Sequence, residues 1–386
     1  MPARYIKYCL FLSAVLLGPG TVLAETPFRF PEGKHGKGEL KYEKGVPILR
    51  VEGSPEEIGE QIAVLALKPA KRILDYPGNL LERLDIKGLL PILAIAGEGM
   101  LAHFPPDHHK ELESIVKAGI DRNPVVLGNT MFDVKKLFAC SALVVTGDRS
   151  ETGGVLLGRN LDFPSLGYVH EYGLVTVYHS PGKHAFASVG FPGLVGCLSG
   201  MNDAGLCLGV LEICHVKNGE KRFDATGTPF ALCYRRILEE CATVEEAEKL
   251  LRSMKRTTLT SLAIADPQRG AVLEITPELV VVRRPQDGVC SCTNHFCSKE
   301  LKPAFQPDIF WTLDRFDILE MIRKRSKVGL EDVHQSLHAV SVRNHTLQTM
   351  IFEPGKLRLH LAIGACPASG KELTALDLAS LFHQGK

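Results

Sequence analysis

Phe138-Ala139-Cys140-Ser141-Ala142-Leu143-Val144-Val145 is the stretch on which the reading of this chain turns. A cysteine stands at the head of an apolar run long enough for one strand. A turn rich in glycine and charge, residues 147–154, separates it from a second run, Val155-Leu156-Leu157-Gly158-Arg159-Asn160-Leu161-Asp162-Phe163. Two such runs around a turn predict a β-hairpin. An antiparallel pair brings the end of the return strand back beside the start of the leading one, so Arg159 and Asp162 are expected near Cys140. A guanidinium beside a thiol favours the thiolate, which is the nucleophilic form.

The chain has 386 residues, with 45 Lys and Arg against 44 Asp and Glu. The length suits one large domain or two ordinary ones. Near-neutral charge without a basic stripe argues against a nucleic-acid partner. Residues 1–24 read as an export signal. Arg4 and Lys7 precede a short apolar core, Cys9 to Leu17, and Val22-Leu23-Ala24 offers small residues for cleavage before Glu25. That core is too short to span a bilayer comfortably, and no later segment reads as a span. The mature protein is expected to be exported (periplasmic or secreted, or lumenal in a eukaryote), with no membrane span after signal cleavage. Export permits disulfides. Of the eleven cysteines, setting aside Cys9 and Cys140 leaves nine, so at least one more thiol stays free. Several, such as Cys207 and Cys233, sit among apolar residues and read as core packing.

Residues 25–139 read as a mainly helical segment. After a Pro/Gly/Lys-rich lead, Pro31 to Gly45, Ser54-Pro55-Glu56-Glu57 is a helix start, with Ser54 as N-cap and Glu57 closing a capping box. From Cys140 the pattern turns to strands. Asn202-Asp203-Ala204-Gly205 is a turn between two of them. A helix opens at Thr228-Pro229 and another at Thr243-Val244-Glu245-Glu246, and strands return from Leu259. Strand runs on either side of a helix pair predict α+β layers, not a doubly wound sheet.

The order of these motifs resembles an N-terminal-nucleophile hydrolase of the family that includes penicillin acyltransferase, with choloylglycine hydrolases and acid ceramidase as relatives. The motifs are the Cys-led hairpin, Gly158-Arg159-Asn160-x-Asp162, Gly200-Met201-Asn202-x-x-Gly205-Leu206 and the helix pair from Thr228. They continue with Thr293-Asn294-His295-Phe296, Arg315-Phe316 at a helix start and Thr346-Leu347-Gln348-Thr349-Met350-Ile351-Phe352. The resemblance implies a four-layer αββα sandwich. It also implies that residues 25–139 are a pro-segment retained as an α subunit, and residues 140–386 the catalytic β subunit.

It implies a chemistry as well. The Cys140 thiol attacks the Ala139 carbonyl, the acyl group shifts from nitrogen to sulfur, and water frees a Cys140 α-amine. With an ordinary pKa of roughly 7.7–8.0, that amine can act as base for its own thiol. Arg159 is expected beside the thiolate, Asp162 at the α-amine, Asn294 as a donor to the tetrahedral oxyanion, and Arg315 as support from a helix start. Asn202 reads as a turn former. One position departs: where choloylglycine hydrolases place a second oxyanion Asn, this chain has Glu212, and an ionised carboxylate cannot donate. The expected activity is hydrolysis of an N-acylated small amide, with no cofactor and no catalytic metal, or acyl transfer to an amine.

Two other readings stay open on the residues. Cys140 with His295 could form a papain-like pair, although Trp311 is the only tryptophan. Cys290, Cys292, His295 and Cys297 could hold a structural zinc, at a spacing tighter than usual.

Overall fold

The computed structural model describes residues 27–134 and 139–383. The expected signal segment, residues 1–24, and Phe138 lie outside the described residues. The chain first lays down strands β1 (Gly33–His35), β2 (Gly38–Glu43) and β3 (Val46–Glu52). Helices α1 (Pro55–Ile62), α2 (Tyr76–Arg83), α3 (Leu90–Leu101), α4 (Pro106–Lys117) and α5 (Arg122–Val134) follow. The hairpin β4 (Ala139–Val145) and β5 (Leu156–Asp162) leads to β6 (Leu174–His179), β7 (Phe186–Gly190), β8 (Ser199–Asn202) and β9 (Cys207–Glu212). Helices α6 (Phe230–Glu240) and α7 (Val244–Ser253) come next, then β10 (Thr260–Ala265), β11 (Gly270–Ile275), β12 (Val280–Arg283) and β13 (Val289–Cys292). The chain ends with α8 (Thr312–Glu320), α9 (Leu330–Ala339), β14 (Thr346–Glu353), β15 (Arg358–Ala362), β16 (Thr374–Asp377) and α10 (Leu378–His383).

Among the described residues the strands form two sheets, a ten-stranded one ordered β1-β2-β3-β6-β7-β8-β9-β10-β11-β12 and a six-stranded one ordered β13-β4-β5-β14-β15-β16. They lie face to face, and glycines set the closest approaches. A Cβ on Gly209 of β9 would meet Cδ of Arg159 at 2.7 Å, and one on Gly270 would meet Val144 at 2.4 Å. Helix α6 covers the outer face of the ten-stranded sheet, where a Cβ on Gly200 would meet Leu238 at 2.8 Å, and α7 lies beside it over β11 and β12. Helices α8 and α9 cover the outer face of the six-stranded sheet, where Val333 and Leu337 of α9 pack on Leu143, Val145 and Leu156. The layers are therefore α, β, β, α. Because both faces of β4 and β5 are covered, every residue of both strands is buried, including Arg159, Asn160 and Asp162 of β5.

The hairpin forms as expected, with Cys140 opposite Leu161 and Ala142 opposite Arg159. Ser54 and Glu57 make the reciprocal capping box that starts α1. The segment before Cys140 is helical from Pro55 onward, but it opens with β1, β2 and β3, which extend the ten-stranded sheet. Strands β1 and β2 are partly solvated and charged, whereas β3 is mostly buried. In β2, Leu40 turns inward while Glu39 and Lys41 turn out, and the stretch reads as a loop lead. Strand β3 pairs in parallel with β6, and Ile115, Val125 and Met131 of the N-terminal helices share one core cluster with Phe163, Tyr168 and Leu208. Helix α5 carries Pro124 in its first turn, where Pro is tolerated.

Candidate active site

Side chains alternate across a strand, so Cys140, Ala142 and Arg159 share the face between the sheets. Arg159 is wholly buried. Its Nη1 donates to the Leu198 carbonyl at 2.9 Å and to the Ser199 hydroxyl. Its Nη2 donates to the Val210 carbonyl at 2.9 Å and lies 3.0 Å from Sγ of Cys140. Two carbonyls and a hydroxyl thus fix the guanidinium with one edge on the thiol. Burial nevertheless pushes the Cys140 thiol up. Arg159 and the Asp162 main chain oppose that push, while the Asp162 carboxylate and Glu212 add to it. In the intact chain Cys140 is held as the thiol.

A second cluster surrounds the main chain of Cys140. Its N–H donates to Oδ1 of Asn294 at 2.9 Å. Arg315 donates through Nη1 to the Cys140 carbonyl at 2.8 Å and through Nη2 to Oδ1 of Asn294 at 2.7 Å. Its Nε is held by the Phe310 carbonyl at 2.9 Å, and Phe310 and Trp311 both have positive φ. Cys140, Arg159, Asp162, Asn294 and Arg315 are thereby gathered from β4, β5, the end of β13 and α8.

Two of them, Asn294 and Asp162, have further partners in the intact chain. Oδ1 of Asn294 faces two donors, which fixes the orientation of the amide, and Nδ2 donates to the Glu212 carbonyl at 2.9 Å. In the intact chain that amide thus bonds main chain at both ends. Asp162 pairs with Ala139, not Cys140, so alternation turns its carboxylate away from the thiol. It accepts from the Thr346 hydroxyl and lies 3.8 Å from Arg315, while Asn294 takes the Cys140 N–H. Burial, only partly offset by Arg315, pushes Asp162 up to about 6.

Glu212 is buried at the end of β9. Asn202 does shape its turn: its amide donates to the Leu238 and Cys241 carbonyls and accepts from Ala204 and Leu206. Neither alternative reading is assembled. The His295 ring bonds to Thr312 and Thr293, and burial lowers it to about 4. Arg283 lies among Cys290, Cys292 and Cys297, where a cation would have to sit. Among the described residues no three His, Cys, Asp or Glu side chains are placed to hold a metal ion, and no disulfide joins the ten described cysteines. No described helix is long and apolar enough to cross a membrane.

Leu198, Ser199, Val210 and Thr346, which hold Arg159 and Asp162, were not singled out as site residues. Only Thr346 carried a signal, as the first residue of a motif. An apolar pocket adjoins the site, with about 650 Å³ of empty space counting its open mouth. Ile73 and Tyr76, with Val125 and Met131 of α5, form one wall, and Phe163 and Leu198 belong to the other.

Residues 149–366 match the family described as acyl-coenzyme A:6-aminopenicillanic acid acyl-transferase. No curated protein matches the chain by sequence. Among solved structures, a conjugated bile acid hydrolase mutant from Clostridium perfringens is 16% identical, covering 62% of this chain and 93% of its own, with a TM-score of 0.43. The Caenorhabditis elegans ortholog of N-acylethanolamine-hydrolyzing acid amidase is 16% identical (56% and 93%, TM-score 0.43). Penicillin V acylase from Agrobacterium tumefaciens is 17% identical (62% and 86%, TM-score 0.43).

Proposed function

We infer that this chain, which belongs to the acyl-coenzyme A:6-aminopenicillanic acid acyl-transferase family, is an exported, self-cleaving cysteine amidohydrolase. The observation that carries the reading is the 3.0 Å approach of Arg159 Nη2 to Cys140 Sγ at the head of β4. A buried cation aimed at a thiol stabilises negative charge there, whether on a thiolate or on an adjacent developing oxyanion.

Maturation begins when the Cys140 thiol attacks the Ala139 carbonyl. The C–N bond breaks as a thioester forms, and water hydrolyses the thioester. The products are an Ala139 carboxylate and a Cys140 α-amine. Residues up to 139 stay bound as the α subunit. In turnover the α-amine takes the thiol proton and Sγ attacks the substrate amide carbonyl. The leaving amine departs with that proton, and water then releases the acid from the thioester. Asp162 holds the α-amine once the peptide bond is gone, and Arg315 and Asn294 brace the new terminus. The apolar lining of the pocket suits an apolar acyl group.

N-acyl transfer is the second reading, favoured by the description of the matched family. It shares the thioester and differs only in an amine replacing water. Intact mass and N-terminal sequencing of mature protein test the proposal. Two chains are expected, the larger beginning at Cys140, and one uncut chain from Cys140→Ala. A wild-type chain that stays whole yet hydrolyses amides refutes it. The product formed with an added amine present, N-acyl amine or free acid, separates transfer from hydrolysis.

A further inference from the structure

We propose that Asn129 is a positioning residue, through which the N-terminal segment sets the Arg159 guanidinium by way of the loop between β7 and β8. The proposal rests on the reading of Cys140 as nucleophile.

Asn129 lies on α5 and is 4% exposed. Its Oδ1 accepts from the Val195 N–H at 2.8 Å. Its Nδ2 donates to the Gly193 carbonyl at 2.9 Å and to the Val125 carbonyl of its own helix at 2.9 Å. The far side of the same loop is gripped by α6. The Val195 carbonyl accepts from Arg235 at 2.8 Å, and the Cys197 N–H donates to the Ala231 carbonyl at 2.9 Å. A Cβ on Gly196 would meet the Cβ of Ala231 at 2.5 Å. A loop bonded on both sides has little freedom to shift. Its next residues, Leu198 and Ser199, are the acceptors of Arg159 Nη1, and the other arm of that guanidinium is the one on Cys140.

A buried Asn often does no more than satisfy a loop's main chain. Here the satisfied residues stand within a few positions of the groups that orient the thiol's cation. Leu198 joins the two halves of the site, since its side chain lines the apolar pocket while its carbonyl holds Arg159. An acyl group seated in the pocket therefore presses on the residue that aims the guanidinium. Interactions with a remote part of the substrate can in this way appear in kcat and not only in KM.

The test compares Asn129→Ala and Asn129→Asp with Asn79→Ala. The last removes a bond from α2 to the Tyr168 hydroxyl, and neither residue is a hydrogen-bond partner of Arg159. The primary readout is the pH profile of Cys140 alkylation by iodoacetamide, located by peptide mass and run beside thermal melting. Both Asn129 variants are expected to move the profile up by about one pH unit, with roughly tenfold slower alkylation at neutral pH. Asn79→Ala is expected to leave it in place. On amide substrates, kcat for a long acyl chain should fall more than KM rises. Lower melting with an unmoved profile makes Asn129 merely structural and overturns the proposal, as does an equal shift in Asn79→Ala. If Asn129→Ala does not fold, the isosteric Asn129→Asp carries the test, and failure of both to fold also overturns it. Parent protein without amidase activity sinks the proposed function instead, while the alkylation comparison still reads.

Discussion

Arg315 grips the carbonyl oxygen of Cys140 at 2.8 Å from 175 residues away in the chain. That bond fixes the backbone on the C-terminal side of the nucleophile, while Asn294 fixes the N–H on its other side. Replacing Arg315 by Lys supplies one compact cation where a planar fork now reaches Cys140, Asn294 and Phe310 together. Arg315→Lys is expected to slow self-cleavage at least tenfold, followed by the ratio of cut to uncut chain over time. Wild-type kinetics in that variant count against a bracing role.

Arg159 and Glu212 pull the Cys140 thiol in opposite directions. Arg159→Gln should move the alkylation profile toward alkali and lower amide turnover by about 10²–10³. Glu212→Gln should move it toward acid. Shifts of the same sign in both variants rule out this electrostatic account.

His108 is held neutral in the fold, its value lowered from 6.5 to about 4 chiefly by burial and then by Arg235. Its Nε2 lies 3.0 Å from Glu239. Burial would raise Glu239, but Arg235, His108 and Lys183 outweigh it and lower its pKa, which keeps it anionic. A histidine whose folded value lies below its unfolded one contributes stability present above the unfolded value. That stability is lost as pH falls from 6.5 through 4, because the unfolded chain takes up the proton first. The loss is about 3 kcal/mol over that window. His108→Gln keeps a donor for Glu239 without titrating, so melting followed from pH 7 to pH 4 should decline less steeply in it.

Gly158 faces α9, where a Cβ would stand 2.4 Å from Val333 and 3.1 Å from Leu337. Gly158→Ala is expected to cost about 1–3 kcal/mol by overpacking, read from denaturant midpoints. Adding Val333→Ala should recover most of that cost, since the two sites touch.

The sequence made the hairpin legible because each strand opens or closes on an apolar run, Ala142 to Val145 and Val155 to Leu157, beside a marked turn. Cys140, Arg159, Asp162, Asn294 and Arg315 could be named because each stands in a short ordered motif. What could not be read was which atom each one touches. Whether Asp162 or Asn294 meets the Cys140 N–H depends on strand register and side-chain alternation, and composition carries neither. Leu198 and Val210 hold Arg159 through main-chain carbonyls, which any residue supplies, so no residue type marks them. Strands β1 and β2 stayed hidden because charge on an outer strand resembles charge in a loop.

Strand β3 runs parallel to β6, Ile48 beside Val175 through Glu52 beside His179. If the chain is cut at Cys140, that pairing becomes the seam between two polypeptides, and the seam is an interior row of a continuous sheet. Parting the products then means tearing the sheet, so separation and denaturation become one event. Dilution should leave such an enzyme intact, and the two pieces made separately should not find each other again under mild conditions.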